Sequence, residues 1–179
     1  MLALGTEAPD FELWDSVSNS TITLNKLKGV RGTLILFICN HCPFVIHINK
    51  ALVYIAKNLQ KKGIGVVAIS SNDVKNYPQD GPEQMHLHAK NTNYPFPYLY
   101  DETQSIAKAY DAACTPDFFL FDSTLKLQYR GQLDDSRPGN GLPVDGIDLL
   151  HAVQCMIENK ENTLPQKPSI GCNIKWKTP

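Results

Sequence analysis

Apolar and polar residues alternate near the start of the chain and give way to continuous apolar runs further along. The segments APDFEL (8–13) and STITL (20–24) alternate around a turn rich in Ser and Asn, a pattern that predicts an N-terminal β-hairpin. TLILFI (33–38) and IGVVAIS (64–70) are instead uninterrupted and rich in β-branched residues. Such runs are typical of strands that are buried on both faces in the centre of a sheet.

The segment between these two runs has helical spacing. Apolar residues recur every three or four positions from 43 to 62, and Gly63 is a suitable residue to end the helix. Shorter helices are predicted around 83–90 and in TQSIAKAYD (103–111), with a last helix near 145–159.

The second half of the chain adds three extended segments. FPYLYD (96–101) predicts one strand, and DFFLFD (117–122) and LKLQYRG (125–131) predict an antiparallel hairpin. Helical crossovers between the early strands make those strands parallel, whereas the late hairpin is antiparallel. The order therefore predicts an α/β fold with a central mixed β-sheet, helices on both faces and an N-terminal hairpin extension.

Composition and charge narrow the class of protein. The chain has 179 residues, of which 42% are hydrophobic and 20% charged, which suits one globular domain. A formal charge of −1 offers no basic surface for nucleic acid or an anionic membrane. No apolar stretch approaches the roughly 20 residues of a transmembrane helix and no leader is evident, so we expect a soluble cytoplasmic protein. Residues 1–159 are predicted to form the domain, and residues 160–179 an irregular tail packing on it.

The five cysteines include one close pair. Five is an odd number and too few for a disulfide framework, so a close pair is expected to be catalytic or metal-binding. Cys39 and Cys42 occur in CNHCPFV, between a predicted strand and a predicted helix. Pro43 suits the first position of that helix, which makes Cys42 the N-cap. There the sulfur can accept from the N–H groups of Phe44 and Val45, and the helix dipole favours the thiolate.

The order of elements, together with CNHCP and CTPDFFLFD, resembles the thioredoxin-like superfamily over roughly residues 5–157. Within it, the chain is similar to the redoxin branch of alkyl hydroperoxide reductase and thiol-specific antioxidant relatives. The resemblance implies a reactive cysteine where the first central strand meets the next helix, and a cis-proline at Pro116 beside it. An ungapped match to the thioredoxin site puts Cys42 at the nucleophilic position. The alternative match makes Cys39 the nucleophile.

A second thiol is needed to release a substrate that is bound through a mixed disulfide. Cys39 is the nearest candidate in sequence. The resemblance implies that Cys114, Thr115 and Pro116 line the same site. Cys172, in the predicted tail, is a further candidate if the tail folds back.

Among the histidines, only His41 is expected to act at the site. It is expected to lower the thiol pKa when it is protonated. His47 is predicted to be a helix-surface residue. His86 and His88 are two apart and do not share a helical face, so they are not expected to form a metal pair. Cys155 lies on the apolar face of the last helix and is predicted to be structural.

Departures from the family patterns limit the expected chemistry. Peroxiredoxins carry P-x-x-x-T-x-x-C and an arginine that lowers the thiol pKa. Here the threonine position is Cys39, the proline position is Ile35, and no arginine precedes the FFLFD strand. The buried aspartate of thioredoxin falls at Leu36.

Three functions are consistent with these residues. The first is a thiol–disulfide oxidoreductase that acts on protein or small-molecule thiols and disulfides without a cofactor, with Cys42 attacking and Cys39 or Cys114 resolving. The second is a peroxiredoxin-like thiol peroxidase with antioxidant activity that uses the same Cys42. The third is a non-enzymatic metal-binding or sensor module whose ligands would be Cys39, His41, Cys42 and Cys114.

Overall fold

A mixed sheet of seven strands forms the centre of the molecule. The computed structural model describes residues 2–178, so positions 1 and 179, the ends of the predicted domain and tail, lie outside the described residues. The strands are β1 (Glu12–Asp15), β2 (Ser20–Thr23), β3 (Gly32–Phe37), β4 (Ile64–Ser70), β5 (Tyr98–Tyr100), β6 (Cys114–Thr115), β7 (Asp117–Asp122), β8 (Leu127–Gly131) and β9 (Cys172–Asn173). The large sheet has the order β2-β1-β5-β4-β3-β7-β8, and β6 pairs separately with β9.

The two uninterrupted apolar runs lie in the middle of the sheet. β3 is parallel to β4 on one side and antiparallel to β7 on the other, and all six of its residues are buried. Leu34 and Leu36 face one apolar layer, whereas Ile35 and Phe37 face the other. The predicted mixed sheet is therefore confirmed. The N-terminal hairpin of β1 and β2 is also present, and it extends the sheet by pairing β1 with β5.

Helices cover both faces of the sheet. They are α1 (Leu24–Leu27), α2 (Pro43–Lys61), α3 (Pro82–Thr92), α4 (Ser105–Ala109) and α5 (Ile147–Ile157), with one 3₁₀ turn at Pro78–Asp80. The buried residues of α2 and α3, and those of α5 except Cys155, join the layer of Leu34, whereas those of α1 and α4 join the layer of Ile35. α1 was not predicted, because four residues are too few to show helical periodicity. Among the described residues, none of the helices combines the length and apolar character needed to cross a bilayer.

The short ladder of β6 and β9 holds the end of the chain against the domain. Thr115 lies opposite Cys172 in this antiparallel pair. Further along, the backbone N–H of Lys175 donates to Oδ1 of Asn72 at 2.9 Å. Gly171 approaches β6 so closely that an added Cβ would lie 2.0 Å from the carbonyl oxygen of Thr115. The ladder was not predicted, because two residues per strand leave no alternation to detect.

We expect Gly171→Ala to weaken the attachment of the tail, because the new methyl group would overlap backbone that cannot rotate away. Overpacking of this kind typically costs about 1–3 kcal/mol. Urea unfolding would measure the loss in the free energy of unfolding. Gly81→Ala is the matched control, since its Cβ would approach no closer than 3.3 Å to the carbonyl oxygen of Pro78. Equal stabilities for the two variants would contradict the close packing of the tail on β6.

Candidate active site

Cys42 lies at the N-cap of α2, directly before Pro43 at the first helical position. The carbonyl oxygen of Cys42 accepts from the N–H groups of Val45 and Ile46, both at 3.0 Å. The sulfur makes no capping hydrogen bond within the helix. The expectation that the N–H groups of Phe44 and Val45 would donate to the sulfur is therefore wrong, and the Val45 N–H donates to the Cys42 carbonyl instead.

The sulfur of Cys42 is instead surrounded by hydrogen-bonding groups from other segments, and it is fully buried. Hydrogen bonds with Cys39, with Thr115 and with both the thiol and the backbone N–H of Cys172 lower the pKa of Cys42 well below its usual value of 9.0, against the opposing effect of burial. The thiol form donates to the carbonyl oxygen of Thr115 at 3.1 Å, and this bond is lost on ionisation. On balance the site favours the thiolate, which is the nucleophile in disulfide exchange.

The pKa of Cys39 is shifted in the opposite direction. Its sulfur lies 3.5 Å from Oγ1 of Thr115 and 4.0 Å from Nδ1 of His41. The hydrogen bond with Cys42, burial and the negative charge of Asp80 all raise the pKa of Cys39. Cys39 therefore remains a thiol that donates to the Cys42 thiolate, which favours the match with Cys42 as the attacking sulfur over the alternative with Cys39.

The segment before β7 carries three of the predicted site residues. The peptide bond between Thr115 and Pro116 is cis. Thr115 contacts both sulfurs of the close pair. The Cys114 thiol donates to the carbonyl oxygen of Pro116 at 3.7 Å, and burial together with the charge of Asp117 raises the pKa of Cys114 to about 12. Because neighbouring residues of a strand point to opposite sides, Thr115 rather than Cys114 provides the contact with the reactive sulfur.

His41 is held by a buried aspartate that the sequence did not identify. Nδ1 of His41 lies 2.6 Å from Oδ2 of Asp80, and its ring stacks on Tyr77 with centroids 5.7 Å apart. Asp80 is fully buried and also accepts from the backbone N–H of Asn40 at 2.9 Å. The aspartate thus fixes the loop that joins β3 to α2. Its position in a polar loop, YPQDGP, carries no signal of this role.

His41 contacts Cys39 rather than Cys42. Cys39, His41 and Asp80 also form a group with one possible metal-ligand atom each, all within 4.8 Å of one another. Tetrahedral zinc ligands at about 2.1 Å from the ion would hold the histidine nitrogen and the carboxylate oxygen about 3.4 Å apart. The observed 2.6 Å is instead the length of a direct hydrogen bond. This group therefore has the geometry of a hydrogen-bond network, and it differs from the ligand set expected from the sequence.

The other histidines lie apart from the reactive sulfur. His86 Nδ1 lies 2.8 Å from the carbonyl oxygen of Ser16, whereas His88 Nε2 lies 3.2 Å from the Tyr94 hydroxyl, so the two have separate partners. His47 is partly buried rather than a surface residue, because it lines a small cavity beside Pro116, and its buried Nε2 has no hydrogen-bond partner in the described part of the chain.

Comparison with known proteins gives a family and closely similar structures. The model of the AhpC/TSA family matches residues 4–130. The crystal structure of an uncharacterized conserved protein from Geobacillus kaustophilus is 53% identical, with 99% of this chain and 94% of that chain covered and a TM-score of 0.96. No curated protein sequence matches the chain.

Two more distant structures share the fold. The thioredoxin domain of a thiol-disulfide oxidoreductase from Bacteroides vulgatus is 18% identical, with 73% of this chain and 89% of that chain covered and a TM-score of 0.61. Peroxidoxin BcpB from Mycobacterium tuberculosis is also 18% identical, with 87% of this chain and 97% of that chain covered and a TM-score of 0.63. The predicted thioredoxin-like fold is confirmed.

We expect Cys42 to titrate first among the thiols. Thiolates absorb in the ultraviolet, so the difference in absorbance between the protein and its Cys42→Ser variant follows the ionisation of this group without requiring access to it. The midpoint should lie well below 9.0, and the rate of reaction with a small disulfide should fall about tenfold per pH unit below that midpoint. A difference curve that is flat below pH ~8, the range under a free thiol, would contradict the assignment.

Thr115→Val should raise the pKa of Cys42. The substitution keeps the shape and the carbonyl of the residue but removes its hydroxyl donor. A hydrogen bond to a charged group is worth about 1.5–3 kcal/mol, which corresponds to an upward shift of about 1–2 pH units. Thr33→Val is the control, because Thr33 is also fully buried but accepts from Gly29 instead. An unchanged midpoint in Thr115→Val would show that the hydroxyl does not stabilise the thiolate.

Proposed function

Because the chain belongs to the AhpC/TSA family, we propose that it is a thiol–disulfide oxidoreductase in which the Cys42 thiolate attacks the disulfide of a protein or a small molecule. The observation that carries the proposal is the position of Cys42 at the N-cap of α2, with its sulfur 3.1 Å from the carbonyl oxygen of Thr115 beside the cis-proline. Hydrogen bonds with Cys39, Thr115 and Cys172 lower the pKa of Cys42 there. A thiolate stabilised in this way is the dominant form near neutral pH, and disulfide exchange requires little else of a protein beyond access.

The reaction proceeds through a mixed disulfide. Cys42 forms a bond to one sulfur of the substrate, the substrate disulfide breaks, and the departing thiolate takes a proton from solvent. A second thiol of the protein then attacks the Cys42 sulfur and releases the other half of the substrate. The substrate gains two electrons, and the protein is left with one disulfide, which a dithiol reductant returns to two thiols. We propose a cytoplasmic location, where such reductants keep thiols reduced.

Peroxide reduction is the alternative function. A peroxidase uses positioned donors that stabilise the leaving oxygen in the transition state. Cys39 occupies the position of the peroxiredoxin threonine. The buried Arg130 pairs with Asp117 at 3.6 Å and lies over the Phe119 ring at 5.2 Å. Phe119 belongs to the apolar layer on the opposite side of the sheet from Cys42, so this arginine does not replace the missing donor.

We expect Cys42 to react with a small disulfide at the rate that its pKa explains, and with hydrogen peroxide only as fast as an ordinary thiolate. A preorganised donor to the leaving oxygen typically contributes a factor of about 10²–10³ in rate. Because the threonine and the arginine of peroxiredoxins are both missing here, most of their acceleration of the peroxide reaction should be lost. Stopped-flow kinetics with the two oxidants, referenced to a free thiol of matched pKa, would measure both rates. Cys42→Ser gives the background. A peroxide rate several orders of magnitude above the reference would put the peroxidase first.

A further inference from the structure

The strand β9 places a second cysteine against the reactive sulfur. Cys172 lies opposite Thr115 in the ladder, and the Cys42 thiol donates to the carbonyl oxygen of that same Thr115 at 3.1 Å. The thiol and backbone N–H of Cys172 both contribute to the lowered pKa of Cys42. Cys172 is partly buried and packs against the same apolar layer as Cys42. We propose that Cys172 is the resolving thiol, which attacks the mixed disulfide at Cys42 and forms a Cys42–Cys172 disulfide. This inference rests on the proposed oxidoreductase function.

Cys39 is less suited to the resolving step than its closeness in sequence suggests. It is 1% exposed, and its thiol proton takes part in the hydrogen bond that stabilises Cys42. The hydrogen bond with Cys42 that raises the pKa of Cys39 in the reduced protein is lost once Cys42 forms the mixed disulfide, but burial and the charge of Asp80 still raise that pKa. For Cys172 only burial still raises the pKa, and the charge of Lys175 lowers it. A larger fraction of Cys172 is therefore available as thiolate. Cys39 keeps a positioning role as the donor that holds Cys42 ionised.

The burial of Cys42 also favours Cys172 as the resolving thiol. Because Cys42 is fully buried under the tail, a substrate disulfide reaches it only if a covering segment moves. β9 is a short element, held to β6 by two paired residues. Its displacement uncovers the Cys42 sulfur and removes Cys172 at the same time. Its return brings the Cys172 thiol back onto the sulfur that now carries the substrate.

Contacts on both sides of β9 guide this return. Before the strand, the hydroxyl of Ser169 donates to the carbonyl oxygen of Gly131 at 2.7 Å. After it, the backbone N–H of Asp73 donates to the carbonyl oxygen of Lys175 at 2.8 Å. With both flanks attached to the domain, Cys172 comes back in the same register opposite β6. The tail therefore confines the thiol near Cys42 at a high effective concentration.

The step balances without a further reactant. A sulfur–sulfur bond forms between Cys172 and Cys42, the bond between Cys42 and the substrate sulfur breaks, and the proton of the Cys172 thiol passes to the departing substrate thiolate. Cys42 and Cys172 are together oxidised by two electrons, and the substrate disulfide is reduced to two thiols. A dithiol reductant restores the pair, as in the proposed function.

The test uses the full-length reduced protein and one equivalent of cystamine, a small symmetric disulfide, followed by acid quenching, alkylation and peptide mapping by mass spectrometry. We expect a Cys42–Cys172 disulfide in the native chain. In Cys172→Ser the cysteamine adduct on Cys42 should persist, and its loss should slow by about 10²-fold or more, because an intramolecular thiol is replaced by one from solution. Cys39→Ser should still form the Cys42–Cys172 bond.

Cys155→Ser is the matched control, since Cys155 lies on α5 with its sulfur 3.5 Å from Nε2 of His151, away from Cys42. It should behave as the native chain, and circular dichroism of each variant would verify that it is folded. A Cys39–Cys42 or Cys42–Cys114 disulfide in the native chain, unaffected by Cys172→Ser, would overturn the inference and leave the proposed function intact. If folded Cys172→Ser carried neither an adduct nor a disulfide at Cys42, the proposed function itself would be overturned.

Discussion

A buried sulfur anion needs hydrogen-bond donors, and this requirement organises the site. Burial disfavours a charged group strongly unless nearby dipoles and donors replace its lost hydration. At Cys42 the helix end does not provide these donors directly, because the sulfur makes no capping hydrogen bond and the Val45 N–H donates to the Cys42 carbonyl. They come from Cys39, Thr115 and Cys172 instead. While the sulfur is buried, its ionised form depends on the loop after β3, the segment before β7 and the tail together.

The sheet brings two of these segments together. β3 and β7 are adjacent and antiparallel, with Phe37 opposite Asp117, so the end of β3 and the beginning of β7 lie side by side. The loop after β3 carries the close cysteine pair, and the residues before β7 carry Thr115. The buried carboxylate of Asp80 then anchors that loop through Asn40 and His41. Core packing of the central strands therefore fixes the positions of groups whose own contacts are polar.

Sequence patterns predicted the parts of this arrangement that depend on short-range order. The strands 33–38 and 64–70 were recognisable because burial on both faces selects uninterrupted apolar residues, and Pro43 marked the start of α2 and hence the position of Cys42. The helix-end donors were assigned wrongly, because the direction of a side chain at an N-cap does not follow from its position. Asp80 was not assigned, and Cys172 was named only as one of three candidate resolving thiols, since their contacts join residues distant in the chain and no local pattern encodes them.

The tail controls both the reactivity and the exposure of the Cys42 sulfur. With β9 in place, Cys172 adds two of the hydrogen bonds that hold the Cys42 pKa down. The nucleophilicity of a thiolate falls as its pKa falls, so the covered sulfur is ionised but weakly reactive as well as inaccessible. Displacement of β9 removes these donors, and the sulfur becomes exposed and more nucleophilic in one motion. In the proposed cycle, the segment that restrains the thiolate is also the segment that completes the reaction, and reactive sulfur is exposed only while a substrate displaces the tail.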